Sequence, residues 1–163
     1  MKRYIIYQEQ PNEVEGDYEC CFLTPKDVLY LRVPGFESHH YVQMLFAGMR
    51  CYAAKKGDEI IAFNWINMKN IHYFGTHEEL KRNEAFLFFM WVKEEYRGKG
   101  VASYLRYKTL LMLEKTGRDL FYSITDMDNK PALRFKERIW AKKLWQVVYL
   151  KIFDKAFKIN RYK

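Results

Sequence analysis

The run from Glu84 to Thr116 limits the fold more than any other part of the sequence. It opens with Glu84-Ala-Phe-Leu-Phe-Phe-Met-Trp-Val92, an apolar stretch bounded by charges. The stretch is far too short to cross a bilayer, and its aromatic and β-branched content favours a buried strand over a helix. Lys93 to Tyr96 follows, and from Arg97 the chain reads Arg-Gly-Lys-Gly-Val-Ala-Ser-Tyr-Leu105. Val101, Leu105 and Met112 then recur at helical spacing, with Gly117 as a stop. Strand and helix are joined by a tight turn that contains Gly98 and Gly100.

A helix that starts from such a turn leaves its first N–H groups unpaired and pointing outward, at the positive end of the helix dipole. That combination attracts anions. Gly98 and Gly100 carry no Cβ to hold a phosphate off the backbone, and Arg97 and Lys99 add positive charge. The spacing fits a phosphate cradle and fits a plain turn equally. No Gly-x-x-x-x-Gly-Lys-Ser/Thr occurs, and Ser103 stands where a dinucleotide fingerprint needs its third glycine.

The wording of the turn separates the two readings. Val92-x-x-x-Tyr96-Arg97-Gly98-Lys99-Gly100-Val101-Ala102-x-x-Leu105 resembles the acyl-CoA-binding motif of the GNAT superfamily of N-acetyltransferases. That motif has the form Arg/Gln-x-x-Gly-x-Gly/Ala, filled here by Arg97, Gly100 and Ala102. The resemblance implies that the amides from Arg97 through Gly98, Lys99, Gly100 and Val101 to Ala102 hold the pyrophosphate of acetyl-CoA. It also implies that the strand end around Met90 to Val92 pairs with the pantetheine arm like an added strand. Further on, Asn129-x-x-Ala132 is similar to the family's later motif, Asn-x-x-Ala-x-x-Phe-Tyr-Glu-Lys-x-Gly-Phe. By that match Asn129 hydrogen-bonds the pantetheine region. Read from the residues alone it is a helix cap, and one side chain can serve both roles.

The rest of the chain supplies a mixed set of elements. Arg3 to Tyr7 reads as a first strand, Gln8 to Gly16 as a polar turn region, and Tyr18 to Leu23 as a short strand or loop. Thr24-Pro25-Lys26-Asp27 is a helix start, carrying Val28, Leu29 and Leu31 before Pro34-Gly35. A second helix covers Ser38 to Phe46 with Ser38 as its cap. Arg50 to Lys55 and Glu59 to Met68 read as strands around the turn Gly57-Asp58. Asn67 to Arg82 is polar and ambiguous, and its His72 and His77 are not at a metal-ligand spacing. Leu120 to Thr125 is a strand, parallel to the central one by the strand–helix–strand order. Asn129 to about Trp140 is a helix. Leu144 to Phe153 and Phe157 to Tyr162 form a hairpin about Asp154-Lys155. This order is similar to the GNAT plan. The expected fold is therefore α/β (α+β): a twisted, mixed, mostly antiparallel sheet of about seven strands flanked by about four helices, and splayed at the cofactor-binding strands. The resemblance extends over residues 1–163 as one acetyltransferase domain.

Composition narrows the partners. Hydrophobic residues make up 49% of the chain and aromatics 18%, so it folds. The net charge of +8 asks for an anionic partner: a nucleic acid, an anionic surface or a small ligand. Coenzyme A satisfies part of it. The three cysteines form neither a disulfide framework nor a Cys-x-x-Cys pair, so neither zinc nor any other metal is expected. Idle thiols and the lack of a signal-like start point to the cytoplasm, and no membrane partner is expected.

Transfer of an acyl group from a thioester to an amine needs a proton acceptor for the amine, a donor for the oxyanion and relief of charge on the departing thiolate. The resemblance assigns thiolate protonation to a Tyr of the later motif. Aligning Asn129 and Ala132 places Lys136 at that position, and Trp140-Ala141 replaces the closing Gly-Phe. Some members of the family carry a carboxylate base on the central strand; the matching position here is Phe86, and Glu84 lies two residues earlier on the same strand face. The implied activity is N-acyl transfer, most simply N-acetyl transfer, from acetyl-CoA to an amine acceptor, with Glu84 and Lys136 as the candidate catalytic pair. Acetyl-CoA, an amine acceptor and a second copy of the chain are the candidate partners, and a catalytically silent CoA-binding or protein-interaction module on the same fold is the alternative that the missing Tyr and Gly-Phe suggest. A basic nucleic-acid-binding domain is the third, since Lys151 to Lys163 is rich in Lys and Arg.

Overall fold

A computed structural model of the chain describes residues 1–73, 76–150 and 155–162. The strands are β1 (Lys2–Glu9), β2 (Glu19–Phe22), β3 (Arg50–Lys56), β4 (Glu59–Asn67), β5 (Asn70–Tyr73), β6 (Thr76–Glu79), β7 (Glu84–Val92), β8 (Leu120–Asp126), β9 (Lys142–Leu150) and β10 (Lys155–Arg161). The helices are α1 (Pro25–Leu29), α2 (Ser38–Phe46), α3 (Val101–Lys115) and α4 (Lys130–Arg138). Eight strands make one sheet in the order β10-β9-β1-β8-β7-β4-β3-β2, and β5 with β6 makes a separate hairpin. Every neighbouring pair is antiparallel except β7 with β8.

Period-two alternation sorts the side chains to two faces. On one face Ala85, Leu87 and Phe121 pack against Val101, Leu105, Leu110 and Leu113 of α3. On the other, Cys51, Ala53, Phe63 and Trp65 meet Val28 of α1 and Tyr41 of α2. Beside that second cluster, Tyr4, Ile6, Phe86 and Val147 close over Ile71 of the β5–β6 hairpin. Cys20, Cys21 and Cys51 are free thiols.

Several elements differ from the expectation. Tyr18 to Leu23 resolves into the edge strand β2, paired with β3 from Glu19↔Lys55 to Phe22↔Tyr52. The polar segment after β4 forms the β5–β6 hairpin, whose pairing rests on backbone bonds rather than on an apolar pattern. Helix α1 stops at Leu29, so Leu31 is buried outside it. Thr24 and Asp27 do form a reciprocal capping box. Ser38 is not the cap of α2; that position belongs to Glu37, which makes no side-chain cap bond. The turn expected at Asp154-Lys155 lies partly outside the described residues.

The first strand, for which the sequence reading gave no place in the sheet, is threaded between β8 and β9, with Glu9 opposite Phe121 and Arg3 opposite Val148. Residues Tyr4 to Tyr7 and Glu9 are buried there.

The chain between β1 and β2 is fastened to α3. The Tyr104 hydroxyl donates to the carbonyl of Tyr18 at 3.2 Å, and Gly16 lies against the same ring, where a Cβ would come within 2.5 Å of Cδ2. Gly16→Ala therefore forces the buried Tyr104 ring to shift, and a loss of about 1–3 kcal/mol in denaturant unfolding is expected. A loss below the error of the measurement would show that the loop yields instead of the ring.

Candidate functional site

The site begins where two strands separate. β7 and β8 pair from Glu84↔Leu120 to Leu87↔Ser123 and then part, although β7 continues to Val92 and β8 to Asp126. The other edge of β7 explains the divergence. Trp65 faces Phe88 and Phe63 faces Trp91, so Phe89 and Met90 together stand against Asn64. Such a bulge bends its strand and frees a backbone amide from the ladder. Phe89 takes a φ of 44°, a conformation that costs a side-chain-bearing residue roughly 1–3 kcal/mol. Packing holds it there: its ring stacks on Phe36 with centroids 4.7 Å apart. Asn64 is buried and bonded to the carbonyl of Tyr52 and the hydroxyl of Thr109, both at 3.3 Å, which ties the bulged region to α3.

At the outer end of the cleft, the β7–α3 turn has the conformation that its glycines permit. Gly98 and Gly100 lie at φ 74° and 80°, and a Cβ at either would project into open space. Gly100 is the N-cap of α3 and offers no side chain to the helix end. The first α-helical bond runs from Tyr104 N to Gly100 O at 3.0 Å, so the amides of Val101, Ala102 and Ser103 precede the first intrahelical bond. Val101 and Ala102 line a cavity of about 530 Å³ together with Met90, Val92, Arg97, Gly98, Gly100 and Asn129. Two of the expected ligating groups are engaged elsewhere. The Arg97 amide donates to Glu94 O at 3.1 Å and its Nε to Val92 O at 3.0 Å. Lys99 does not line the cavity and lies over the Tyr96 ring, 5.9 Å from its centroid. In their place α4 contributes Arg134 and Arg138. Asn129 caps α4, its Oδ1 accepting from Ala132 N at 3.1 Å, and still lines the cleft.

The cavity runs inward. Met90, Asn129, Ala132 and Phe135 line both it and a second space of about 340 Å³ between the parted strands. This slot is walled by Leu87, Phe88, Phe89 and Ile124, with Arg106 and Lys136 at its charged end. Lys136 is only 4% exposed, Arg106 and Glu9 each 3%. The Lys136 ammonium donates to the Glu9 carboxylate and, at 2.7 Å, to the Ser123 hydroxyl, which itself donates to Glu9. Arg106 Nε stands 3.5 Å from the other Glu9 oxygen.

Burial pushes the Glu9 carboxyl up, but the charges of Arg106 and Lys136, with hydrogen bonds from Lys136 and Ser123, outweigh it and hold the group down at about 2. Burial lowers the Lys136 ammonium to about 8; Glu9 opposes that shift and Arg106 adds to it. Both members of one ion pair thus move downward: Glu9 because two cations favour its charge, and Lys136 chiefly because burial disfavours its own, with Arg106 adding to that effect.

Glu84 lies apart from this cleft. It starts β7, accepts from Lys81 N at 2.8 Å and from the Tyr122 hydroxyl at 3.4 Å, and faces a smaller cavity with Glu78, Glu79 and Lys158 on the side of the β5–β6 hairpin. Sequence reasoning did not find Glu9, Ser123, Arg106, Arg134 or Arg138. Only the last two left a signal, the i, i+4 spacing of Arg134 and Arg138 on a helix that opens with the Asn129 motif. Among the described residues no group of His, Cys, Asp or Glu side chains could hold a metal ion, and no helix is long and apolar enough to cross a membrane.

With the geometry in place, comparison with known proteins is informative. The family model described as acetyltransferase (GNAT) family matches residues 12–139. Among solved structures, the chain is similar to a GNAT-family protein from Novosphingobium aromaticivorans, with 16% identity and a TM-score of 0.63, over 89% of this chain and 61% of that one. An acetyltransferase from the GNAT family of Colwellia psychrerythraea gives 12% identity and a TM-score of 0.65, over 88% and 53%. The chain thus spans little more than half the length of these proteins. The aminoglycoside 6′-N-acetyltransferase AAC(6′)-Ih of Acinetobacter baumannii gives 20% identity and a TM-score of 0.62, over 83% of this chain and 97% of that one. At these identities the likeness is one of fold. No curated protein sequence matches.

Proposed function

Because the chain belongs to the acetyltransferase (GNAT) family, we propose that it transfers an acyl group, most simply acetyl, from acetyl-CoA to an amine acceptor by direct attack. One observation carries this reading: the αL-glycine cradle and the slot between β7 and β8 form a single cleft. A long ligand with phosphates at one end and a narrow thioester arm at the other has the matching shape. The amides of Val101 and Ala102, with Arg134 and Arg138, take the pyrophosphate. Met90 to Val92 offers its unpaired strand edge to the amide-bearing arm, and Asn129 contacts it from the other wall. The amide freed at the Phe89–Met90 bulge is suited to the developing oxyanion.

The acceptor enters from the sheet face opposite α3. Glu84 lies on that face with Tyr122, whose hydroxyl it accepts at 3.4 Å. A proton leaving the amine reaches Glu84 by relay through Tyr122 or water rather than directly. The aminoglycoside acetyltransferase among the fold relatives is consistent with a polyamine acceptor, and Glu79 beside Glu84 suits a cationic one, whereas Glu78 is ion-paired with Lys158 at 2.8 Å.

Calorimetric titration with acetyl-CoA, free CoA and ATP tests the reading. Saturable binding of both CoA forms, with none of ATP, is expected. Absence of binding by either CoA form would reduce the Gly98–Gly100 turn to a plain helix start.

A further inference from the structure

The conformation of Phe89 has to be imposed from outside its strand. A φ of 44° is one that few side-chain-bearing residues adopt, and it persists only where the surroundings over-determine it. Phe89 has neighbours on two sides. It belongs to the bulge against Asn64 and lines the slot between β7 and β8. Its ring packs into the cluster beneath α1 and α2, on the sheet face opposite α3. There the rings of Tyr41 and Phe63, both fully buried, come to 6.1 Å between centroids. Phe36 comes closer, stacking at 4.7 Å with 30° between the planes, and it is only half-buried.

Phe36 belongs to neither helix. It closes the turn Val33-Pro34-Gly35-Phe36 between α1 and α2. Pro34 and Gly35 fill its two central positions, Gly35 at φ 78°, and the Phe36 amide donates to Val33 O at 3.1 Å. That is the pattern of a type II turn, which holds its last residue in one place. Tyr41 of α2 stacks on Phe36 at 4.8 Å and lies parallel to Trp65 of β4, 5.8 Å away and 7° off. Phe36, Tyr41 and Phe89 thus form a closed set of three rings anchored on the sheet, and the member from the surface turn lies against the strained residue.

Resting on the acyl-transfer reading above, we infer that Phe36 is a positioning residue for that reaction. From the α1–α2 turn it holds Phe89 in its left-handed conformation and so keeps the bulge amide aimed at the acyl oxygen. Without that ring Phe89 relaxes toward an extended φ, and the amide turns away from the slot. The pyrophosphate end of the cleft, built from α3 and α4, is untouched. The donor for the oxyanion is therefore set by the wall on the acceptor's side and not by the half that binds CoA. Simple packing is the plainer role for a ring in this cluster, and it differs in what it predicts: lost stability with no change at the thioester. Leu45, in the last turn of α2 and partly buried in the same cluster, supplies that comparison.

The experiment reads the thioester itself and needs no acceptor. The full chain is saturated with acetyl-CoA, and the carbonyl stretch is isolated as the infrared difference between acetyl-CoA with and without an isotopic label at the carbonyl carbon. A donor held against the carbonyl lowers the stretch, so in wild type it is expected below its value for acetyl-CoA in water. In Phe36→Ala, and in Phe36→Leu, which keeps apolar volume but cannot stack, acetyl-CoA should bind with nearly unchanged affinity while the shift shrinks to less than half. Phe36→Tyr, which keeps the stack, should retain the full shift. Leu45→Ala should retain it too, although it lowers stability in denaturant unfolding. A shift that survives in Phe36→Leu overturns the inference, and so does a wild-type stretch no lower than in water; both results leave the acyl-transfer reading standing. An equal loss of shift in Leu45→Ala overturns it as well, by reducing Phe36 to ordinary packing. Failure of wild type to bind acetyl-CoA removes the acyl-transfer reading and the inference with it.

Discussion

Gly100→Glu is expected to weaken acetyl-CoA binding by about a hundredfold or more, equivalent to about 3 kcal/mol, in a protein that still folds. Three effects add at this position. The new Cβ projects into the open space of the cradle, where a Cβ now meets nothing within 4 Å. The new carboxylate faces the same helix N-terminus as the pyrophosphate and occupies the donors of Val101 and Ala102. The φ of 80° costs a side-chain-bearing residue about 1–2 kcal/mol, which lowers stability without blocking the fold. Calorimetry with circular dichroism on the same sample separates these effects. Undiminished affinity in a folded variant would remove the cradle from the site.

Removal of Glu9 and removal of Lys136 should differ sharply in their effect on stability. Glu9→Ala leaves Arg106 and Lys136 buried together without the carboxylate that pairs with both. Breaking a buried pair in this way costs about 3–5 kcal/mol, about 10 °C in Tm for a chain of this size. Lys136→Met leaves Glu9 with Arg106, a balanced pair, and fills the space with an apolar chain of similar length. A change under about 1.5 kcal/mol is expected there. Equal losses in the two variants would show that Arg106 alone does not balance Glu9. The pH dependence follows the same logic. Glu9 is lowered from 4.5 to about 2 by folding, so its contribution is present above 4.5 and fades as pH falls toward 2. Lys136 is lowered from 10.5 to about 8, so the unfolded chain holds that proton longer and wild type gains stability as pH rises between those values. Lys136→Met should lack that gain.

The glycine turn at the head of α3 was legible because its causes are local. A strand, two glycines and an amphipathic helix follow one another in sequence, and each residue's role is set by near neighbours. The charged end of the slot was not, because it is assembled across the chain. Glu9 and Lys136 are 127 residues apart, and Glu9 sits in a polar stretch, Gln8 to Gly16, that reads as a turn. Arg106 is one polar residue on a helix whose buried faces include Val101, Ser103 and Leu105, and nothing in its spacing distinguishes it from a solvated one. The resemblance to the family did direct attention to Lys136, but only as a departure from an expected Tyr. The same limit explains β1: chain order places it first, and only strand pairing places it between β8 and β9.

That placement also governs when the sheet can close. The residues of β1 pair with Phe121–Asp126 and Lys142–Tyr149, so the first-made strand waits for the last third of the chain. Contacts so distant in sequence are slow to form, since loop closure must precede any gain from them. Until then Glu9 remains hydrated, and α3 and α4 have no anion to gather Arg106 and Lys136 around. Pulsed hydrogen exchange during refolding should therefore show β3, β4 and β7 protected before β1. The cleft between β7 and β8, on this schedule, is absent from every intermediate and appears only with the final strand insertion.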